Sequence, residues 1–390
     1  MFPNHPAAAM CAALLFEVQG QPVDSIIWAL EKAVLGDSAS GSAWEMLGRR
    51  LIERGDTTRG VDAFLMQLQA EPSNIRLRTA IGAQLITMRA YERADSVIAP
   101  AIEFNPTDLT TLGLRETACY EGRMWRCALE TMEQTFALDS ARQTSLEFKF
   151  KSFSGAQSWS QTAPDSAVPY LLIWSQRIVE QDSTNLDAWR ARSAALQAAG
   201  RQMEAVGAFR RILALDSTQV SAAYAAASIL WDSTTLVVDS ARALDTARVA
   251  LGDTLWTRVT RQATDTATWT NVAVQYYRLG NRLVTQRMRL PLAHRFLTRA
   301  MELDRTGALT APANLYAGLA DFFQMIPQYQ ALRESQRCAD IPMLMDRVAR
   351  TRRELAIGRS IAQELVDVRL MPTVTQLEGQ RDALRANFCR

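Results

Sequence analysis

The feature that most constrains this chain is a pattern that returns in register. Trp44-x2-Leu47-Gly48-x2-Leu51 is followed by Gly60-x3-Phe64 and then by Pro72. A step of about 34 residues lands on Ile81-Gly82-x2-Leu85, Ala94-x3-Ile98 and Pro106; a second reaches Leu112, Cys119, Ala128-x3-Met132 and Asp139-Ser140. A helix with one apolar stripe has to bury it against another element. Each period is therefore predicted to be a helical hairpin, with the next hairpin stacked on it. Gly48 lies inside a predicted helix, where Gly costs roughly 0.5–1 kcal/mol relative to Ala. Packing offsets that cost: Gly48, Gly82, Ala94 and Ala128 let paired helices approach, and Trp44 and Phe64 are expected to fill the space around them.

These residues resemble the tetratricopeptide repeat family, whose pattern is Trp-x2-Leu-Gly-x2-Tyr, then Ala-x3-Phe, then Pro. The resemblance implies an all-α fold, a right-handed α-solenoid of tandem helix-turn-helix hairpins. Trp189, Ser193, Leu196, Ala205-x3-Phe209 and Ile212 match as well as the first repeat, and looser hairpins open at Tyr224 and at Trp269. The expected organisation is an N-terminal segment with a capping helix (1–36), three regular hairpins (37–140) and a stretched hairpin with a polar insertion (141–185). Three further hairpins, two with insertions, follow (186–307), then a degenerate hairpin with C-terminal capping helices (308–390). Asp139, Asp182 and Asp216, each followed by Ser, are expected to cap helix starts where the family often has Asp-Pro.

Three hairpins are too long, and the excess is assigned to the turn between their two helices: "SGAQSWSQTAPDS", "DSTTLVV" and "RLGNRLVTQRMRLP". Beyond Pro312, "LYAGLADFFQM" and "PQYQALRESQRCA" read as one worn hairpin. Pro342–Val368 reads as one long helix or as two broken at Gly358, and a last helix runs from Thr373 to Asn387.

A net charge of +2 over 390 residues gives no reason to expect nucleic acid. No run approaches the ~18 apolar residues of a membrane span. Five cysteines form neither a zinc spacing nor a disulfide framework, and Cys119 and Cys127 are read as small buried side chains rather than a redox pair. "PAAAMCAALLFEVQGQP" resembles the end of a secretory signal peptide, without the positive start and with Glu17 intruding. An exported, periplasmic location is placed ahead of a cytoplasmic one.

Chemistry is not evident. His5 and His294 are the only histidines, and no metal, cofactor or catalytic set follows from the spacing. The expected function is a non-catalytic scaffold that binds a protein or peptide segment, without nucleic acid. The alternative is an enzyme, or an accessory domain of one, with an Asp/Glu-based site in the C-terminal third. The family resemblance implies that the first helix of each hairpin lines a concave groove. Carried over by register, it gives Glu45, Arg49, Arg76, Thr79, Tyr120, Arg190, Tyr224, Trp231 and Tyr277 as partner-binding residues, with Ser228, Thr270 and Val274 beside the last three. Tyr224, Trp231 and Tyr277 are expected to be the main exposed anchors.

Overall fold

A computed structural model describes residues 5–232, 236–238 and 243–389. The first residues of the 1–36 segment and part of "DSTTLVV" therefore lie outside the described residues. The chain divides into two units, residues 1–199 and 200–390, and both are built of antiparallel helices packed on their neighbours in sequence.

In the first unit α1 (Pro6–Val18) and α2 (Val23–Gly36) form a hairpin. Three regular hairpins follow: α3 (Gly41–Glu53) with α4 (Thr57–Ala70), α5 (Ile75–Thr87) with α6 (Tyr91–Phe104), and α7 (Leu109–Glu121) with α8 (Trp125–Leu138). Their first helices have 13 residues and their second 14. Ser40, Asp56, Asn74 and Asp108 cap their helices by accepting backbone N–H groups. A short α9 (Ser140–Thr144) precedes α10 (Leu146–Ser160), α11 (Pro164–Gln181) and α12 (Leu186–Ala198).

The small residues act as expected. A Cβ on Gly48 would lie 2.8 Å from the Phe64 ring, and one on Gly82 would lie 2.4 Å from Ile98. Trp44 does more than fill space. Its indole N–H donates to the Ser38 carbonyl at 2.8 Å, six residues back, and ties the incoming linker to the helix. The fourth residue of other first helices repeats this bond: Arg78 to Pro72 at 2.9 Å, Trp189 to Ser183 at 2.8 Å and Trp269 to Ala263 at 3.1 Å.

The turns inside the hairpins carry a left-handed residue: Gly55 (φ 93°), Arg89 (58°), Arg123 (57°) and, in the second unit, Arg287 (53°). The amide after each bonds back five residues, as in Asp56 to Leu51 and Ala90 to Leu85, which satisfies carbonyls at the helix end. Glycine takes that conformation freely and arginine does not.

The second unit contains α13 (Gln202–Leu215) and α14 (Val220–Leu230), then a two-residue antiparallel pair, β1 (Val237–Val238) with β2 (Ala243–Leu244). After it come α15 (Thr246–Gln262), α16 (Thr266–Thr285) and α17 (Leu290–Leu303). The C-terminal part holds α18 (Thr310–Ser335), α19 (Ile341–Gly358), a π-helical turn (Leu365–Leu370), α20 (Met371–Gly379) and α21 (Arg381–Phe388).

Several expectations are corrected. "SGAQSWSQTAPDS" and "RLGNRLVTQRMRLP" are not loops: the first ends α10 and starts α11, and the second prolongs α16 to 20 residues. The polar residues of the first sit outward while Gly155 and Ala156 face the core. The worn hairpin is one 26-residue helix, α18, with Pro327 inside it. Proline removes a single donor there, and Phe322, Met325 and Leu332 keep one apolar face in a shared core with Leu344, Val348 and Leu355 of α19. The segment after it does break at Gly358, and the last helix is two, α20 and α21.

Asp139 caps α9, whereas Asp182 and Asp216 accept from the N–H and hydroxyl of Thr184 and Thr218 and stabilise the linker turns instead. The cysteine reading is also overturned. Cys119 is joined to Cys127 and Cys338 to Cys389, with Cα separations of 5.7 and 4.9 Å, and Cys11 is free and exposed.

Gly358→Ala is expected to cost more than Gly48→Ala. Its Cβ would meet the Leu315 backbone at 2.6 Å, whereas the Gly48 obstruction is a ring. Overpacking of this kind costs about 1–3 kcal/mol, and hydrogen exchange should show protection lost around α18 and α19. Under reduction, the Cys338–Cys389 bond, spanning 51 residues, is expected to give up about 4 kcal/mol and Cys119–Cys127, spanning 8, about 2.5 kcal/mol. Denaturant melts of Cys389→Ser and Cys127→Ser measure the difference.

Candidate functional site

The first helix of a hairpin keeps one face for its partner helix and leaves the opposite face open. In the second unit, α14 and α16 leave between them a cleft of about 430 Å³. Ser228, Ile229 and Trp231 line it from α14 and its end, and Gln275, Arg278, Leu279 and Arg282 from α16; Gln202, Met203, Asp232 and Arg248 complete it.

Trp231 is the floor of this cleft and not an exposed anchor. It is 6% exposed, its indole N–H donates to the Val249 carbonyl at 3.1 Å, and its ring packs edge-on to Tyr276 at 4.9 Å. Gly252 admits it, since a Cβ there would lie 2.2 Å from the indole nitrogen. Apolar neighbours on α15, α16 and α17 drew the indole inward. Tyr276, fully buried, donates to Asp253 at 2.6 Å, and burial pushes its phenol well above the ordinary value.

Tyr224 is half-buried, edge-on to Trp256 at 5.0 Å. Tyr277 is half-buried as well, edge-on to Tyr316 at 6.2 Å, and burial raises its phenol. Neither lines the cleft, whereas Ser228 does. The residues that the register missed are Gln275 and Arg278, which follow Val274 and Tyr277 by one position on α16, and Arg282, one turn beyond Arg278. Their helical spacing was the available signal. Arg278 is exposed and carries no ion pair among the described residues.

Most of the groove residues expected in the first unit have their own local partners. Glu45 and Arg49 pair with each other, and Arg190 pairs with Asp187 at 2.8 Å; exposed pairs of this kind contribute about 0.2–1 kcal/mol. The Thr79 hydroxyl donates to its own helix at Ile75. Arg76 is exposed. Tyr120 lies under the Lys151 ammonium at 4.6 Å, and burial raises its phenol.

Two carboxylates do converge in the C-terminal third. His294 of α17 lies 2.7 Å from Glu354 of α19 and 3.5 Å from Asp321 of α18. These three ligand atoms lie within 4.8 Å of one another. Arg350 donates to Asp321 at 2.5 Å, and Arg347 lies 3.4 Å from it. Hydrogen bonding to Asp321 pushes the Arg350 guanidinium up. Two guanidiniums already balance two carboxylates, so a divalent cation would add uncompensated charge where Asp321 is 2% exposed. The cluster's evident work is to hold α17, α18 and α19 in register.

No family model matches the chain. No curated protein matches it either. Among solved structures it is similar to the Naa15/Naa10 complex bound to HypK, at 13% identity and TM-score 0.40; the alignment covers 99% of this chain, which spans 63% of that one. It is also similar to YrrB, described as a TPR protein with an unusual peptide-binding site, at 16% identity and TM-score 0.32, covering 53% of this chain and 96% of that one. A third is a tetratricopeptide repeat protein from Parabacteroides merdae, at 13% identity and TM-score 0.29, covering 72% and 98%. The chain is tetratricopeptide-like in its own construction, from 13- and 14-residue helix pairs closed by small residues.

Asp321→Ala is expected to destabilise the protein by about 3 kcal/mol, because it strands two guanidiniums in a partly buried site. Glu354→Gln, which keeps a hydrogen-bonding partner for His294, is expected to cost less. Urea melts of both variants check the order.

Proposed function

We propose that the chain is a non-catalytic scaffold that holds a segment of a partner protein against the open faces of its first helices, anchored in the cleft between α14 and α16. The cleft carries this reading. It has a rigid aromatic floor in Trp231, neutral hydrogen-bonding groups in Ser228 and Gln275, and an exposed guanidinium in Arg278. Binding sites of this kind combine an apolar base with few polar groups that fix orientation. Tyr277 and Tyr224, half-buried on the same helices but off the cleft lining, would meet a longer segment at its edges. The enzyme alternative has less support, since the converging carboxylates of the C-terminal third are balanced by Arg347 and Arg350. A net charge of +2 favours a protein partner over nucleic acid. The two disulfides fit work in an oxidising, exported setting, and no helix among the described residues is long and apolar enough to cross a membrane.

A photo-crosslinking amino acid at Gln275 is expected to capture a defined partner that the same group at Leu35, 80% exposed on α2, does not. Ser228→Trp, which fills the cleft, should remove that adduct while circular dichroism stays unchanged. Identical adducts from both positions, or an adduct indifferent to Ser228→Trp, would count against the reading.

A further inference from the structure

The fourth residue of a first helix is Trp44, Arg78, Trp189 or Trp269 where the linker is tied to the carbonyl six residues back. In α10 the fourth residue is Lys149, one of three lysines in the chain. Its ammonium does not make that bond; among the described residues its one hydrogen-bonding partner is the side-chain oxygen of Gln181. Beside it lies a cleft of about 510 Å³, lined by Phe136, Gln143, Thr144, Arg177, Glu180 and Gln181 as well as Lys149. An indole stands at this register in three sister helices, and here a thin side chain leaves an opening.

The charge in this opening is under-compensated. Lys149 is 5% exposed, and an ammonium has three protons to place. Arg177 is matched by Glu133 through two bonds of 2.8 and 2.9 Å. The acid lining the cleft, Glu180, is exposed and accepts from Gln176 at 2.7 Å. The Phe136 ring lies 5.8 Å from the ammonium. Burial pulls the Lys149 ammonium below its ordinary value, the Arg177 charge adds to the effect, and the Glu180 carboxylate partly opposes it. A buried cation faced only by an exposed carboxylate that another side chain shares is expensive, and an apolar residue of similar volume at such a site is often neutral or stabilising.

We propose that this cleft is a binding site for an aromatic carboxylate, whose ring enters the place that an indole fills in the sister repeats and whose single negative charge meets the Lys149 ammonium. The ligand class follows from the two features together. The register supplies a slot for a flat ring beside Phe136, whose ring already carries the Arg177 guanidinium at 4.2 Å, and the ammonium asks for one anion. Glu180 at the rim disfavours a doubly charged group such as phosphate. This site lies in the first unit and is independent of the cleft between α14 and α16.

Thermal melts of the full chain with indole-3-acetate, indole-3-acetamide, acetate and inorganic phosphate, at matched ionic strength, test it. Indole-3-acetate at tenfold its dissociation constant is expected to raise the melting temperature by about 2–4 °C. The uncharged amide, the ringless acetate and phosphate should each give much smaller shifts at the same concentration. Lys149→Met should fold, as judged by circular dichroism, and lose the response, while Lys32→Met, at an exposed site, should keep it. Lys149→Trp should fill the slot and be equally unresponsive. A wild-type chain indifferent to indole-3-acetate, an equal shift from the amide or phosphate, or a Lys149→Met variant that responds as wild type does would each overturn the proposal.

Discussion

Two helices in this chain can approach only as closely as the smallest side chain at their crossing permits. That limit governs the rest. Gly48 against Phe64, Gly82 against Ile98, Gly280 against Leu297 and Gly318 against Leu355 each occupy a position where a methyl group would collide at 2.8 Å or less. Where the small residue is absent, the chain departs from its repeat. Glu116 stands at the place of Gly48 and Gly82; it is 4% exposed and pairs with Arg142 from α9 and Lys151 from α10. A buried carboxylate needs such partners, and the extra helix α9 supplies one of them. The irregular stretch after the third hairpin is thus coupled to one substitution inside it.

The regular hairpins were legible because period, small residues and caps all point to one structure. The longer ones are not, since polar composition reads as loop. In "SGAQSWSQTAPDS" the polar side chains ride on the outer face of two helices, and burial of Gly155, Ala156 and Ala167 is what holds them. Composition reports which face is wet, not whether the backbone is helical. The same limit hid the continuity of α18 through Pro327.

At the binding faces the sequence was right about helices and one residue off about sides. Val274 and Tyr277 were expected, and Gln275 and Arg278, one position on, line the cleft together with Arg282. One residue on a helix is about 100°, enough to move a side chain from a groove to its wall. Trp231 shows the opposite error: an aromatic at an open register was pulled inward by Tyr276 and Phe296. Pairing of Cys338 with Cys389 was beyond spacing arguments, because it depends on α19, α20 and α21 folding back on one another.

That last bond has a mechanical consequence. Tension applied at the C-terminal end would reach Cys389 and pass through the sulfurs to Cys338, at the start of α19. The intervening helices α19, α20 and α21 would sit outside the load path, shielded from unzipping one by one. The first element to feel the pull would be the 26-residue α18. A protein tugged from that end would meet the force first with its longest helix rather than with the eight-residue α21.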